Sequence, residues 1–199
     1  METVKKPIAL IQLSGGIDST YVLYDWLISN PNDVILVHHI KLINHEKRSI
    51  NEGISVKNIL HWLKEKGLSN FMYIESKFDY GGIKGIIKDV EVCNFFIGII
   101  LRAKRWSSIK SIYMPIYKTE NVKRQIRANK IRRLVSNNTG LKEKEGVEVI
   151  YPLLNQSKKS TIDAMPNELL QLCWYCRYGG EKPCENCMTC EEVNKYKNK

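Results

Sequence analysis

The sequence predicts an α/β protein: a doubly wound, five-stranded parallel sheet followed by a small cysteine-rich tail. Three observations carry this expectation. Short apolar runs alternate with stretches of helical periodicity along most of the 199 residues. The first run ends in a polar, Gly-rich turn, Ser14-Gly15-Gly16-Ile17-Asp18-Ser19-Thr20. Five of the six cysteines lie between Cys173 and Cys190.

The elements follow in order. Pro7 to Leu13 reads as a buried strand, and Asp18 or Ser19 as the cap of a helix that Pro31 ends. Val34 to Ile40 is a second strand, with His38 and His39 at its end, where such sheets bind ligands. Helical spacing runs over 48–66 and stops at Gly67. Phe71 to Ile74 is a third strand, and Gly81, Gly82 and Gly85 mark a turning connection. Val90 to Trp106 is apolar nearly all round and predicts a buried helix, with Cys93 as core packing. Ser111 to Ile116 is a fourth strand. Asn121 to Val135 is a basic helix expected to turn Val122, Ile126, Ile131 and Leu134 inward. Val147 to Leu153 is the fifth strand, and a boundary near Gln171 divides an α/β domain (1–170) from the tail (171–199).

The net charge of +10 is concentrated. Residues 102–144 hold thirteen Lys or Arg against Glu120 and Glu143. Such a band attracts polyanions, and the helix at 121–135 would be the nucleic-acid surface; the alternative is a solvated Lys-rich face. No apolar run is long enough to span a bilayer, and no secretory hydrophobic region is recognisable. A cytoplasmic protein with no membrane partner is the expectation.

The turn at 14–20 carries chemistry. A Gly-rich loop between strand and helix exposes N–H groups without intrahelical partners, and the helix dipole adds about half a positive charge there. Gly15 and Gly16 let backbone approach an anion, while Ser14, Ser19 and Thr20 add hydroxyls. Asp18 is placed to cap the helix or to help hold Mg2+ on the phosphates. The Gly-Lys-Ser/Thr ending of the Walker loop is absent, as is the dinucleotide fingerprint.

The tail reads Cys173-x2-Cys176-x7-Cys184-x2-Cys187-x2-Cys190. Five thiolates exceed the four that tetrahedral zinc needs, and without a secretory context metal is expected before disulfides. Spacing alone leaves an iron–sulfur cluster open beside zinc.

Ser-Gly-Gly-x-Asp-Ser resembles the signature of the N-type ATP pyrophosphatases, whose sheet is of the adenine-nucleotide-hydrolase-like type. Trp174-Tyr175-Cys176 followed by Cys184, Cys187 and Cys190 is similar to the zinc motif of the 7-cyano-7-deazaguanine synthase family. Tyr151-Pro152-Leu153 through Lys158 and Arg48-x3-Glu52 agree with that family more loosely. The resemblance implies ATP, Mg2+ and Zn2+ as cofactors and adenylation of 7-carboxy-7-deazaguanine, then amidation by ammonia and dehydration to the nitrile. It implies nucleotide contacts from Ser14, Gly15, Gly16, Asp18, Ser19, Thr20 and Arg48, with Asp18, Ser19 and Lys158 catalytic. The implied zinc ligands are Cys176, Cys184, Cys187 and Cys190, with Cys173 replacing Cys176 as the alternative, and a homodimer is suggested. The chain departs from the family after the fourth strand, where Met114 to Asn121 lacks the Tyr-Pro-Asp-Cys element and Glu120 stands nearest its Asp. Cys93-Asn94 stands where that family has Arg-Asn. The competing functions are an adenylating tRNA-modification enzyme and a non-catalytic nucleotide- or nucleic-acid-binding relic.

Overall fold

A computed structural model describes residues 5–81, 88–118, 122–137 and 147–197. Five strands, β1 (Ala9–Gln12), β2 (Ile35–Ile43), β3 (Phe71–Asp79), β4 (Ser111–Tyr113) and β5 (Glu148–Ile150), form one sheet in the order β3-β2-β1-β4-β5. Every pairing is parallel. The strand order therefore reverses at β1, between β2 on one side and β4 on the other. In such sheets the crevice outside the carboxyl ends of the two central strands is where ligands bind.

Alternation along the strands builds a core on each face. Ala9, Ile11 and Leu13 of the first strand, with Ile35 and Val37, pack beneath α1 (Ile17–Ser29) and α2 (Ser49–Glu65). Leu10, Leu36 and Ile112 pack on the opposite face against Ile97, Ile100 and Leu101 of α3 (Asp89–Arg102). α4 (Val122–Asn137) lies outside α3, and the short helices α5 (Lys158–Asp163) and α6 (Asn167–Gln171) return to the first face. α7 (Met188–Lys197), which the sequence reading did not anticipate, adds Val193 to the same core.

Several elements differ from their expected form. β2 and β3 run longer than expected, to Ile43 and Asp79, because they pair with each other along nine residues. β4 and β5 are cut to three residues each. The third helix stops at Arg102, and a separate 3-10 turn over Lys104–Trp106 tucks Trp106 into the core. That helix is not buried all round, since Phe95 and Ile99 are 38% and 41% exposed.

The fourth helix presents a different face from the one predicted. Ile126 and Leu134 are 52% and 61% exposed, and Ala128 is the residue turned fully inward. The side chain of Val122 lies outside the described residues, and Ile131 is half-buried. Small residues set this orientation. A Cβ on Gly98 would stand 2.8 Å from Val135 Cβ and 2.9 Å from the Arg132 carbonyl oxygen, so α3 and α4 approach almost to backbone contact. Arg127 pairs with Glu91 across the same interface.

Two glycines in helices give opposite predictions. Gly98→Val forces the helices apart and lowers stability by about 1–3 kcal/mol. Gly53→Ala adds a methyl that meets only Lys41 Cε at 3.6 Å, and raises stability by about 0.5–1 kcal/mol. Urea midpoints of the two variants, measured against the unaltered chain, check both signs.

Candidate phosphate loop and cysteine cluster

The chain leaves β1 at Leu13, turns through Ser14-Gly15-Gly16 and enters α1 at Ile17. His39 fixes the start of this turn by donating from Nδ1 to the Leu13 carbonyl oxygen at 2.8 Å. Gly15 has φ +82, a left-handed conformation that glycine adopts without strain. Its environment also excludes a side chain, because a Cβ there would stand 2.9 Å from the Glu52 carbonyl oxygen and 3.1 Å from Ser55 Cβ. The loop is thus pressed directly against the first turns of α2.

The loop hydroxyls bond to one another. Ser14 Oγ and Ser19 Oγ lie 3.0 Å apart, Ser19 Oγ accepts from the Ser14 N–H, and Ser14 Oγ accepts from the Gly16 N–H. Thr20 donates to the Gly16 carbonyl at 2.7 Å. Neither Asp18 nor Ser19 caps the helix as expected: the cap is Gly16, with no side-chain acceptor. The N–H groups of the first turn therefore point outward uncapped, which is the arrangement that receives an anion.

Asp18 is instead held from the side. Lys158, the first residue of α5, reaches it at 2.5 Å, and the Tyr117 hydroxyl donates to it at 2.9 Å. The same hydroxyl lies 3.0 Å from Thr161 Oγ1. Burial, then the Asp18 charge, pushes the Tyr117 phenol above its ordinary range, so it stays protonated. Sequence reading did not single out Tyr117; its only signal was its place just beyond β4, at the point where strand order reverses.

A cavity of about 550 Å³ opens from this loop along the carboxyl ends of β1, β2 and β4. Ser14, Gly16, Asp18 and Ser19 line one end, and Tyr113 to Ile116 one side. The far wall carries Arg48, Glu46, Glu52 and Asp89. Arg48 sits among the three carboxylates, 2.9 Å from Glu46, 3.2 Å from Glu52 and also paired with Asp89. Arg48 thus reaches the cavity already engaged with acidic partners. Glu52 is the most enclosed of the three, and desolvation outweighs the attraction of Arg48, pushing it up to about 7; Asp89 and Glu46 push in the same direction. Cys93 also lines the cavity, and burial pushes its thiol up to about 12, which favours the neutral thiol expected of core packing.

The two histidines lie inside β2 and not at its end. Gln12 donates to His38 Nδ1 at 2.9 Å, and His38 Nε2 faces Ser76 Oγ at 2.9 Å. Burial, reinforced by His39, brings His38 down to about 4, so it is neutral and structural. Glu120 and Gly82 and Gly85 lie outside the described residues.

In the tail, the Sγ atoms of Cys176, Cys184, Cys187 and Cys190 all lie within 4.8 Å of one another. Sulfurs around tetrahedral zinc stand about 3.8 Å apart, so small movements close the four on one ion. Thiolates on separate irons of a cubane spread by the width of the cluster and stand further apart. Backbone N–H groups of Tyr178 and Cys184 both donate to Cys176 Sγ at 3.4 Å, which fixes the sulfur within the cluster. Cys173 points elsewhere, donating to the Leu169 carbonyl at 3.5 Å within the main core.

The tail also docks on the loop. Trp174 N–H donates to the Gly15 carbonyl at 2.9 Å, Gly179 N–H to the Glu46 carbonyl at 3.0 Å, and Asn51 exchanges two hydrogen bonds with Gly180. None of these contacts is written in a local sequence motif.

The all-parallel sheet in the order β3-β2-β1-β4-β5, with the loop at its reversal, is an α/β fold of the adenine-nucleotide-hydrolase-like type, and the cysteine cluster forms a tail on it. Among solved structures the chain is similar to the U34-tRNA thiolase NcsA from Methanococcus maripaludis, described with its [4Fe-4S] cluster. The TM-score is 0.54 at 17% identity, over 100% of this chain and 67% of that one. No family model and no curated protein matches the sequence. Among the described residues no helix is long and apolar enough to cross a membrane.

Two outcomes follow. A carboxyl whose folded pKa is raised binds its proton more tightly in the folded state, so stability is greatest below its unfolded value and falls as pH rises. Glu52 therefore makes the chain lose stability between about 4.5 and about 7, and Glu52→Gln flattens that decline in thermal melts across pH. Serine at Cys176, Cys184, Cys187 or Cys190 lowers bound metal, measured by atomic emission, whereas Cys173→Ser leaves it near one ion per chain.

Proposed function

We propose that the chain is an ATP-dependent, AMP- and pyrophosphate-releasing ligase that activates a carboxylate, with 7-carboxy-7-deazaguanine as the substrate and ammonia as the nitrogen donor. The observation that carries this is the uncapped N-terminus of α1 at the strand-order reversal, where the loop's own hydroxyls are tied inward and the backbone N–H groups are left for phosphates. Lys158 and Asp18 stand together beside it, supplying a cation for the leaving group and a carboxylate suited to Mg2+.

The chemistry requires little beyond positioning. The loop holds the β,γ-phosphates while a substrate carboxylate oxygen attacks the α-phosphorus in line. The bond from the α-phosphorus to the bridging oxygen breaks, and pyrophosphate leaves. Ammonia attacks the acyl carbon, loses a proton and expels AMP, giving the amide. The amide oxygen attacks the α-phosphorus of a second ATP and expels pyrophosphate, and loss of AMP and both nitrogen protons then gives the nitrile. The far wall suits a guanine-like ring, whose adjacent N–H donors pair with carboxylates such as Glu46, Glu52 and Asp89. The four gathered thiols support a structural zinc that holds the tail in place, and their close spacing favours it over a cubane cluster.

A second reading is an adenylating tRNA-modification enzyme. α4 turns Lys123, Arg127, Lys130 and Arg133 to solvent, which gives a cationic surface, and the fold is shared with a tRNA thiolase.

The test incubates the chain with MgATP, ammonia and 7-carboxy-7-deazaguanine and follows AMP and the base by chromatography. AMP with nitrile, or with amide alone, supports the ligase; turnover only with tRNA supports the second reading; ADP as the nucleotide product overturns both. Lys158→Met lowers kcat by about 100-fold or more while bound metal is unchanged.

A further inference from the structure

Residues 174–180 run as a strap from the loop at 14–20 to the start of α2, and Arg177 within it lines the cavity. One end hangs from the phosphate loop by the Trp174 N–H bond to the Gly15 carbonyl, and the Trp174 carbonyl oxygen lies 3.7 Å from where a Cβ on Gly16 would be. The other end is fixed to the start of α2 through Gly179 and Gly180. Gly179 tolerates no side chain, because its Cβ would lie 2.2 Å from the Lys47 carbonyl oxygen. Between these anchors comes Cys176, a member of the four-thiol cluster, and immediately after it Arg177.

Arg177 lines the cavity. Its backbone is fixed on both sides by the cluster, since Cys176 precedes it and the N–H of Tyr178 donates to Cys176 Sγ. Its side chain is held only loosely: among the described residues the nearest carboxylate oxygen, on Glu46, is 3.8 Å away, and 53% of the side chain is exposed. Arg48 on the same wall is the opposite case, enclosed and engaged with three carboxylates. A loosely paired guanidinium on the Glu46 side of the cavity that the loop at 14–20 lines at its other end is suited to bidentate contact with an anionic oxygen pair of a ligand extending from that loop.

We infer that Arg177 is a ligand-binding residue for the polyphosphate of the nucleotide, positioned by the cysteine cluster, so that metal and ATP bind with positive coupling through the strap. This rests on the reading of residues 14–20 as a phosphate cradle. Ordering the strap by metal fixes the guanidinium over the cavity, and a phosphate held by that guanidinium in turn keeps the strap closed on its cluster. Linkage makes the two effects equal.

The test uses the full chain with its metal. MgATP and inorganic pyrophosphate are titrated calorimetrically into the unaltered chain, Arg177→Ala and Arg177→Lys, with metal content measured in each. The expected result is about tenfold weaker binding of both ligands by Arg177→Ala, partial recovery in Arg177→Lys, and equal metal in all three. In parallel, a chromogenic chelator draws the metal from each protein with and without saturating ATP. ATP slows that transfer several-fold in the unaltered chain and leaves it unchanged in Arg177→Ala. ATP binding that is the same in Arg177→Ala and the unaltered chain overturns the role of Arg177, as does equal protection of the metal by ATP. An unaltered chain that binds neither ligand overturns the phosphate-cradle reading itself.

Discussion

The geometry of the candidate site depends on one backbone reversal, at Gly15. Its positive φ turns the chain from β1 into α1 within four residues, and its missing side chain lets α2 press on the loop through the Glu52 carbonyl and Ser55. Its own carbonyl is the acceptor for Trp174 of the tail. Loop, second helix and cysteine tail therefore meet at one residue. A side chain there would both strain the backbone and separate the loop from α2.

Around that reversal the polar groups divide into two sets. Ser14, Ser19 and Thr20 bond within the loop and stiffen it, leaving the first-turn N–H groups of α1 uncapped. Asp18, Lys158, Tyr117 and Thr161 form a second set, which draws together the ends of α1, β4 and α5. In the proposed reading the first set is a rigid frame for a phosphate, and the second places a cation and a carboxylate beside it. Rigidity matters because a preorganised donor array costs no reorganisation when charge develops on a leaving group.

Much of this was legible in the sequence, for local reasons. A Gly-Gly turn between an apolar run and a helix is a short-range signal, and strand–helix alternation fixes a parallel sheet with few topologies. What depended on neighbours was less legible. Both Cys173 and Cys176 satisfy metal-ligand spacing, and their roles separate only in three dimensions, where Cys173 packs in the main core beside the Leu169 carbonyl and Cys176 joins the other three thiols. The face of α4 was misread because the prediction followed its large apolar residues, whereas packing is decided by Gly98 and Ala128, which let two helices touch at the backbone. The histidines seemed to end a strand because pairing with β3 extends β2 beyond the point where its own apolar run stops. The docking of Trp174 and Gly179 runs through backbone groups, which leave no residue-type signature at all.

The central claim is that this loop supports cleavage of ATP between its α and β phosphates by a carboxylate. Isotope exchange tests it most directly: radiolabelled pyrophosphate is incubated with the chain, MgATP and 7-carboxy-7-deazaguanine, without ammonia, and label in ATP is counted. The account predicts that label enters ATP only when the acid is present, because adenylate formation is reversible while pyrophosphate is available, and that Ser14→Ala with Asp18→Ala abolishes the exchange. Label that never enters ATP while ADP and orthophosphate accumulate would contradict it.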